Sequence, residues 1–122
     1  MQVSSLADVE RRILKARIAL SLRQPFLASA IMRLPIKDAS AFSWCKTMAT
    51  DGYHIFFNAT WAATLPQNEL RGVLAHEVLH VIFQHAARRA NRDQLLWNIA
   101  ADHAINLLLI EQGFELPKGG FA

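Results

Sequence analysis

Residues 76–80 read His-Glu-Val-Leu-His, and this run constrains the fold more than any other segment, because its chemistry works on a helix. Residues four apart on an α-helix differ by about 40° around the axis, so the imidazoles of His76 and His80 project together and can grip one metal ion. Glu77 lies about 100° from His76. That takes it out of direct coordination yet leaves its carboxylate close enough to accept a proton from metal-activated water. Zinc lowers the pKa of such water towards about 7, and a carboxylate base completes the nucleophile. The pattern arises by chance in a chain of this length on the order of once in a few hundred. Its neighbours Val73-Leu-Ala and Val78-Leu are apolar. Two histidines and a glutamate on a half-buried helix are costly to desolvate without a task.

A catalytic zinc ordinarily takes a third protein ligand and leaves the fourth position to water or substrate. Three residues are candidates. His85, nine positions after His76, falls about 180° away on a continuous helix, and nothing from Val81 to Gln84 breaks that helix. A packing or supporting role suits it better. Asp102 follows His80 by 22 residues, enough for one helix to end and another to return beside it. A carboxylate among Ile99, Ala100, Ala101, Ile105 and Leu107 needs a cation if buried, so Asp102 is the preferred ligand. Asn106, one turn on, faces the same way and is placed to hold a ligand imidazole by its free N–H. His103 points about 100° from Asp102, where a place over the site, stabilising an oxyanion, suits it better than ligation.

Periodicity sets the frame around this motif. Leu6, Val9, Ile13, Ala16 and Leu20 predict an amphipathic first helix, capped by Ser5 and stopped by Pro25. Ile31 to Leu34 reads weakly as a strand. Phe42 to Thr50 and Tyr53 to Asn58 flank Asp51-Gly52, a dipeptide suited to a tight hairpin turn. Asn58 opens a short helix that ends near Pro66. Asn68 is the expected cap of a long helix reaching about Ala90, carried by Leu70, Val73, Leu74, Val78, Val81 and Ile82. Asn91-Arg-Asp-Gln reads as a connection. A last helix runs from about Gln94 to Gln112, with Gly113 as its stop and an extended tail beyond.

Bulk properties narrow the classes. The 122 residues suit one domain spanning 1–122, and 52% hydrophobic with 19% charged residues is the balance of a compact chain with a real core. The formal charge of +3 is a mild excess, densest at Arg88, Arg89 and Arg92, where cations complement a helix C-terminus. No aromatic-interleaved basic stripe accompanies them, so nucleic acid is not expected as a partner. The single cysteine, Cys45, excludes an intramolecular disulfide and a cysteine-rich zinc site, and reads as a small half-buried residue. No signal peptide is visible, and the run Ile105 to Ile110 is far short of a membrane span, so a cytoplasmic protein off the membrane is expected. An extended peptide can add as a strand to an exposed sheet edge, and Tyr53 to Asn58 is the natural candidate for that edge.

Four segments in order, Thr50–Asn58, Glu69–His85, Trp97–Asn106 and Leu116–Gly120, resemble the putative metallopeptidase domain of bacteria and phages. The likeness covers about residues 26 to 122. It implies an α+β, zincin-like fold, with a long active-site helix, backing helices and a small β-hairpin sheet. It implies His76 and His80 as ligands of Zn2+ and Glu77 as catalytic base. The family's Ala-x-Asp-x-x-x-Asn-like segment falls on Asp102, which supports it as third ligand, and a histidine matching His85 also belongs to the pattern. In that family a von Willebrand A-like domain commonly follows, so this chain is expected to be a piece of a longer one. The implied activity is zinc-dependent hydrolysis of a peptide or protein substrate. Hydrolysis of a non-peptide amide and a non-catalytic zinc-binding interaction module are the alternatives; the intact Glu77 argues against the second.

Overall fold

Ser5 caps the first helix, accepting from the backbone N–H of Asp8 while the Asp8 carboxylate takes the N–H of Ser5. A computed structural model describes residues 5–89 and 93–118, the side chains of 86–89 and 94–99 excepted. The expected connection at Asn91 and the Arg88, Arg89 and Arg92 side chains therefore lie outside the described residues. Helix α1, Leu6–Arg23, buries Val9, Ile13, Ala16 and Leu20, the stripe its spacing predicts. Its cations Arg12 and Arg17 are occupied with backbone carbonyls. Arg12 donates to Ala62 and Leu65, and Arg17 donates to Ile31 and Leu34. Part of the basic excess thus serves to satisfy helix C-terminal carbonyls.

The chain does not form a strand at Ile31 to Leu34. It forms α2, Pro25–Arg33, with Leu27 and Ile31 buried one turn apart. Pro25 ends α1 and also occupies the first turn of α2, where its fixed φ and missing N–H are no penalty. The strand follows immediately. β1, Ile36–Asp38, pairs in parallel with β3, Ile55–Phe57, and β2, Met48–Thr50, pairs with β3 antiparallel. The expected hairpin is present, its turn widened to residues 51–54, and Gly52 takes a positive φ of 92°. Its first strand is much shorter than Phe42 to Thr50. Successive tight turns from Ala39 to Cys45 use the backbone groups that a longer strand would have paired.

Sheet order is β1-β3-β2, which makes β3 the central strand. The segment Tyr53 to Asn58 is therefore not an edge, since a strand paired on both sides has no free ladder groups. The edge beside the long helix belongs to β2.

Asn58 caps α3, Ala59–Ala63, by accepting from Trp61 N–H, and it also donates to the carbonyl of Cys45. Helix α4, Gln67–Arg89, is 23 residues long and carries the core's densest stretch, from Leu70 to Val81. It starts before the expected cap. Leu70 N–H bonds to the carbonyl of Pro66, and Asn68 lies within the first turn, donating to the Glu115 carboxylate at 2.6 Å. α1, α2, α5 and β2 all pack on α4.

Helix α5, Gln94–Glu111, ends as expected at Gly113, whose φ is 85°. Phe114 N–H bonds to Leu109 and Gly113 N–H to Ile110, a Schellman pair that turns the chain back. The returning tail crosses α4 at Gly72, where a Cβ would lie 2.2 Å from the Glu115 carbonyl oxygen. Glycine is required there for close approach, and the crossing clamps the start of α4 to the end of α5. The molecule is thus an α+β assembly of five helices and a three-stranded sheet among the described residues. No helix among them is long and apolar enough to cross a membrane.

Candidate metal centre

Helix α4 presents His76 and His80 on one side, one turn apart, with their rings 4.6 Å between centroids. Helix α5 runs alongside and brings Asp102 to them. One carboxylate oxygen, Asp102 Oδ1, lies 3.0 Å from His76 Nε2 and 3.0 Å from His80 Nε2. Ligand atoms of the three residues all fall within 4.8 Å of one another.

This donor set fits a divalent zinc-like cation. Two imidazole nitrogens and a carboxylate oxygen are ordinary zinc ligands, and bonds of about 2.0–2.1 Å in a tetrahedron place donor atoms about 3.3 Å apart. Nitrogen-to-oxygen separations of 3.0 Å therefore need to spread only slightly to admit the ion. Burial is graded across the site. His76 is 3% exposed, His80 13%, and half of Asp102 faces solvent at 51%, so the cluster is reachable from the Asp102 side.

Electrostatics follow from that gradient. Burial lowers the pKa of His76, as does the neighbouring His80, against the opposing pull of Asp102 and Asn106. A neutral imidazole is the form that binds metal. Burial alone would raise the Asp102 pKa, but hydrogen bonding from His80 and the charges of both histidines outweigh it and hold the carboxyl below its usual range. Asn106, one turn beyond Asp102, has its side-chain oxygen buried beside the site, and its influence on His76 is to raise the pKa that burial lowers.

Glu77 is 6% exposed, and burial together with the charge of Asp102 pushes its pKa up to about 8. Left alone, this carboxyl is neutral at pH 7; a cation nearby favours its charged form. Burial raises the pKa of the Cys45 thiol, and the charges of Asp38 and then Glu77 push it the same way. At 2% exposure it is fully buried, more so than a half-buried residue.

The other two histidine candidates sit elsewhere. His85 hydrogen-bonds through Nε2 to the carbonyl of Gly52 at 2.9 Å, and its ring lies 5.8 Å from that of Tyr53. His103 is exposed on α5 and is no member of the three-residue cluster. Sequence reasoning missed Gly52 as the partner of His85, a pairing across 33 residues that no local pattern announces. It also missed Gly72, for which the signal was available: a glycine inside a strong helical run marks a close approach.

A family model described as a putative metallopeptidase domain matches residues 8–122. Comparison with curated proteins and with solved structures finds no match. Membership of the matched family implies a metal ion, and His76, His80 and Asp102 are a group among the described residues close enough together to hold one. The match takes in nearly the whole chain, both site helices included, and so the chain belongs to the putative metallopeptidase domain family.

Proposed function

We propose that the protein is a zinc-dependent peptidase, with His76, His80 and Asp102 as zinc ligands and Glu77 as general base. The observation that carries this reading is the conjunction of a convergent His-His-Asp donor set with a carboxyl group buried one residue from its first ligand. A zinc that only held the fold would have no use for Glu77, whose burial is unfavourable to its charge.

Zinc supplies a Lewis acid that acidifies water and polarises the carbonyl to be attacked. The protein's own residues do the rest. Glu77 takes a proton from the attacking water, which requires the charged carboxylate that a nearby cation favours, and delivers it to the leaving amine. Asn106 orients the His76 imidazole, so that its Nε2 remains aimed at the cluster. Asp102 offsets cationic charge while its exposed side leaves room for substrate. An extended peptide is the substrate best served by β2, an edge strand packed on α4, since its outer ladder groups can pair with a backbone.

The test is hydrolysis of fluorescently labelled casein by the purified, zinc-loaded protein. Turnover that chelation abolishes and added zinc restores is expected. Zinc-loaded protein that leaves peptide bonds intact while hydrolysing small amides would shift the activity to another amide bond.

A further inference from the structure

We infer that His85 is a positioning residue that fixes the end of β2 on α4, setting the substrate-binding edge at a defined height above His76 and His80. His85 is five residues beyond His80 on the same helix, about 7.5 Å further along the axis. Its Nε2–H donates to the Gly52 carbonyl at 2.9 Å, and Tyr53 leans on its ring.

Gly52 and Tyr53 belong to the turn directly after β2, and that turn keeps its own shape. Gly52 N–H donates to Thr50 Oγ1, Tyr53 and His54 N–H donate to Asp51 Oδ1, and Thr50 Oγ1 donates to the His54 carbonyl. Internal bonds of this kind fix the turn's conformation but not where it sits. A bond from α4 to the turn's backbone supplies location. Because the helix that carries His85 also carries His76, Glu77 and His80, the link ties the edge strand to the metal-binding face through one rigid element. Donation from Nε2–H to a carbonyl leaves that nitrogen without a lone pair for metal.

The catalytic consequence rests on the peptidase reading; the docking of β2 does not. The experiment compares wild type with His85→Leu, which keeps bulk and loses the donor, and His85→Gln, which keeps a donor at similar reach. In zinc-loaded protein, His85→Leu should speed amide exchange across residues 48–55 by roughly fivefold, as expected for loss of a hydrogen bond worth about 1 kcal/mol. Exchange at residues 73–80 and zinc content should stay at wild-type values, and His85→Gln should restore most protection. With labelled casein, His85→Leu should raise KM severalfold with kcat little changed. Unchanged exchange at 48–55, loss of zinc, or a fall in kcat at constant KM would overturn the inference. The expected exchange pattern in a wild-type protein that cleaves no peptide would uphold the docking of β2 and refute the peptidase reading alone.

Discussion

The carboxylate of Asp102 on α5 stands 3.0 Å from Nε2 of His80 on α4, and this contact joins the two helices of the candidate site. The donors come from both helices, so each helix alone holds an incomplete set. Zinc affinity should therefore fall in a definite order on substitution. Asp102→Ala should cost the most, beyond the roughly 10–100-fold typical of losing an outer hydrogen-bond partner, Asn106→Ala should cost about that much, and His85→Ala next to nothing. Competition with a chromophoric chelator measures all three; His85→Ala as the most damaging would make that residue a ligand.

Glu77→Gln separates metal binding from chemistry. The amide keeps the size of the side chain but accepts no proton at neutral pH. Zinc content should match wild type, and casein hydrolysis should drop by about 10²–10⁴-fold, the usual contribution of a positioned acid–base group. Turnover near the wild-type rate would remove Glu77 from the mechanism.

Much of this was legible in the chain, for reasons tied to particular residues. His76, Glu77 and His80 are one turn of one helix, so spacing alone groups them. Asp102 was singled out because a carboxylate buried in an apolar helical stretch would need a cation; it meets both histidines but is half exposed. Gly113 was legible because a helix needs a left-handed stop. What stayed hidden depended on non-local pairing. β1 is three residues long and gains its identity from β3, far along the chain, which in turn moves the sheet's edge from β3 to β2. Pro25 stops α1 as its position predicts, but it also starts α2, and that second role is what turned the expected strand at Ile31 to Leu34 into a helix. The partner of His85 is a backbone carbonyl, which no side-chain pattern encodes.

Gly72→Ala tests the crossing of the tail over α4. The added methyl would meet the Glu115 carbonyl at 2.2 Å, and backbone on both sides leaves little freedom to yield. Alanine's better helix propensity offsets about 1 kcal/mol, so a net loss of stability requires a larger packing penalty. Chemical denaturation should show a net loss of about 1–2 kcal/mol; stabilisation instead would mean that the tail does not lie on Gly72.

The turn after β2 carries a pH signature. Burial opposes ionisation of Asp51, yet hydrogen bonds from the His54 side chain and from Tyr53 and His54 N–H hold its pKa at about 2, below the usual 3.8. A depressed carboxyl pKa stabilises the fold above the unfolded value, and that contribution fades as pH falls through the folded one. The stability gap between wild type and Asp51→Asn should thus be full at about pH 6, shrink below about pH 4, and close near pH 2. A gap independent of pH would show that the Asp51 charge does not matter to the turn.

The central claim is that α4 and α5 together hold one zinc ion, and a crystal structure of the zinc-loaded protein with anomalous scattering recorded at the zinc edge tests it most directly. One anomalous peak per chain is expected, within about 2.0–2.2 Å of His76 Nε2, His80 Nε2 and an Asp102 carboxylate oxygen. A peak ligated by His85 in place of Asp102, or no peak between the two helices, would contradict it.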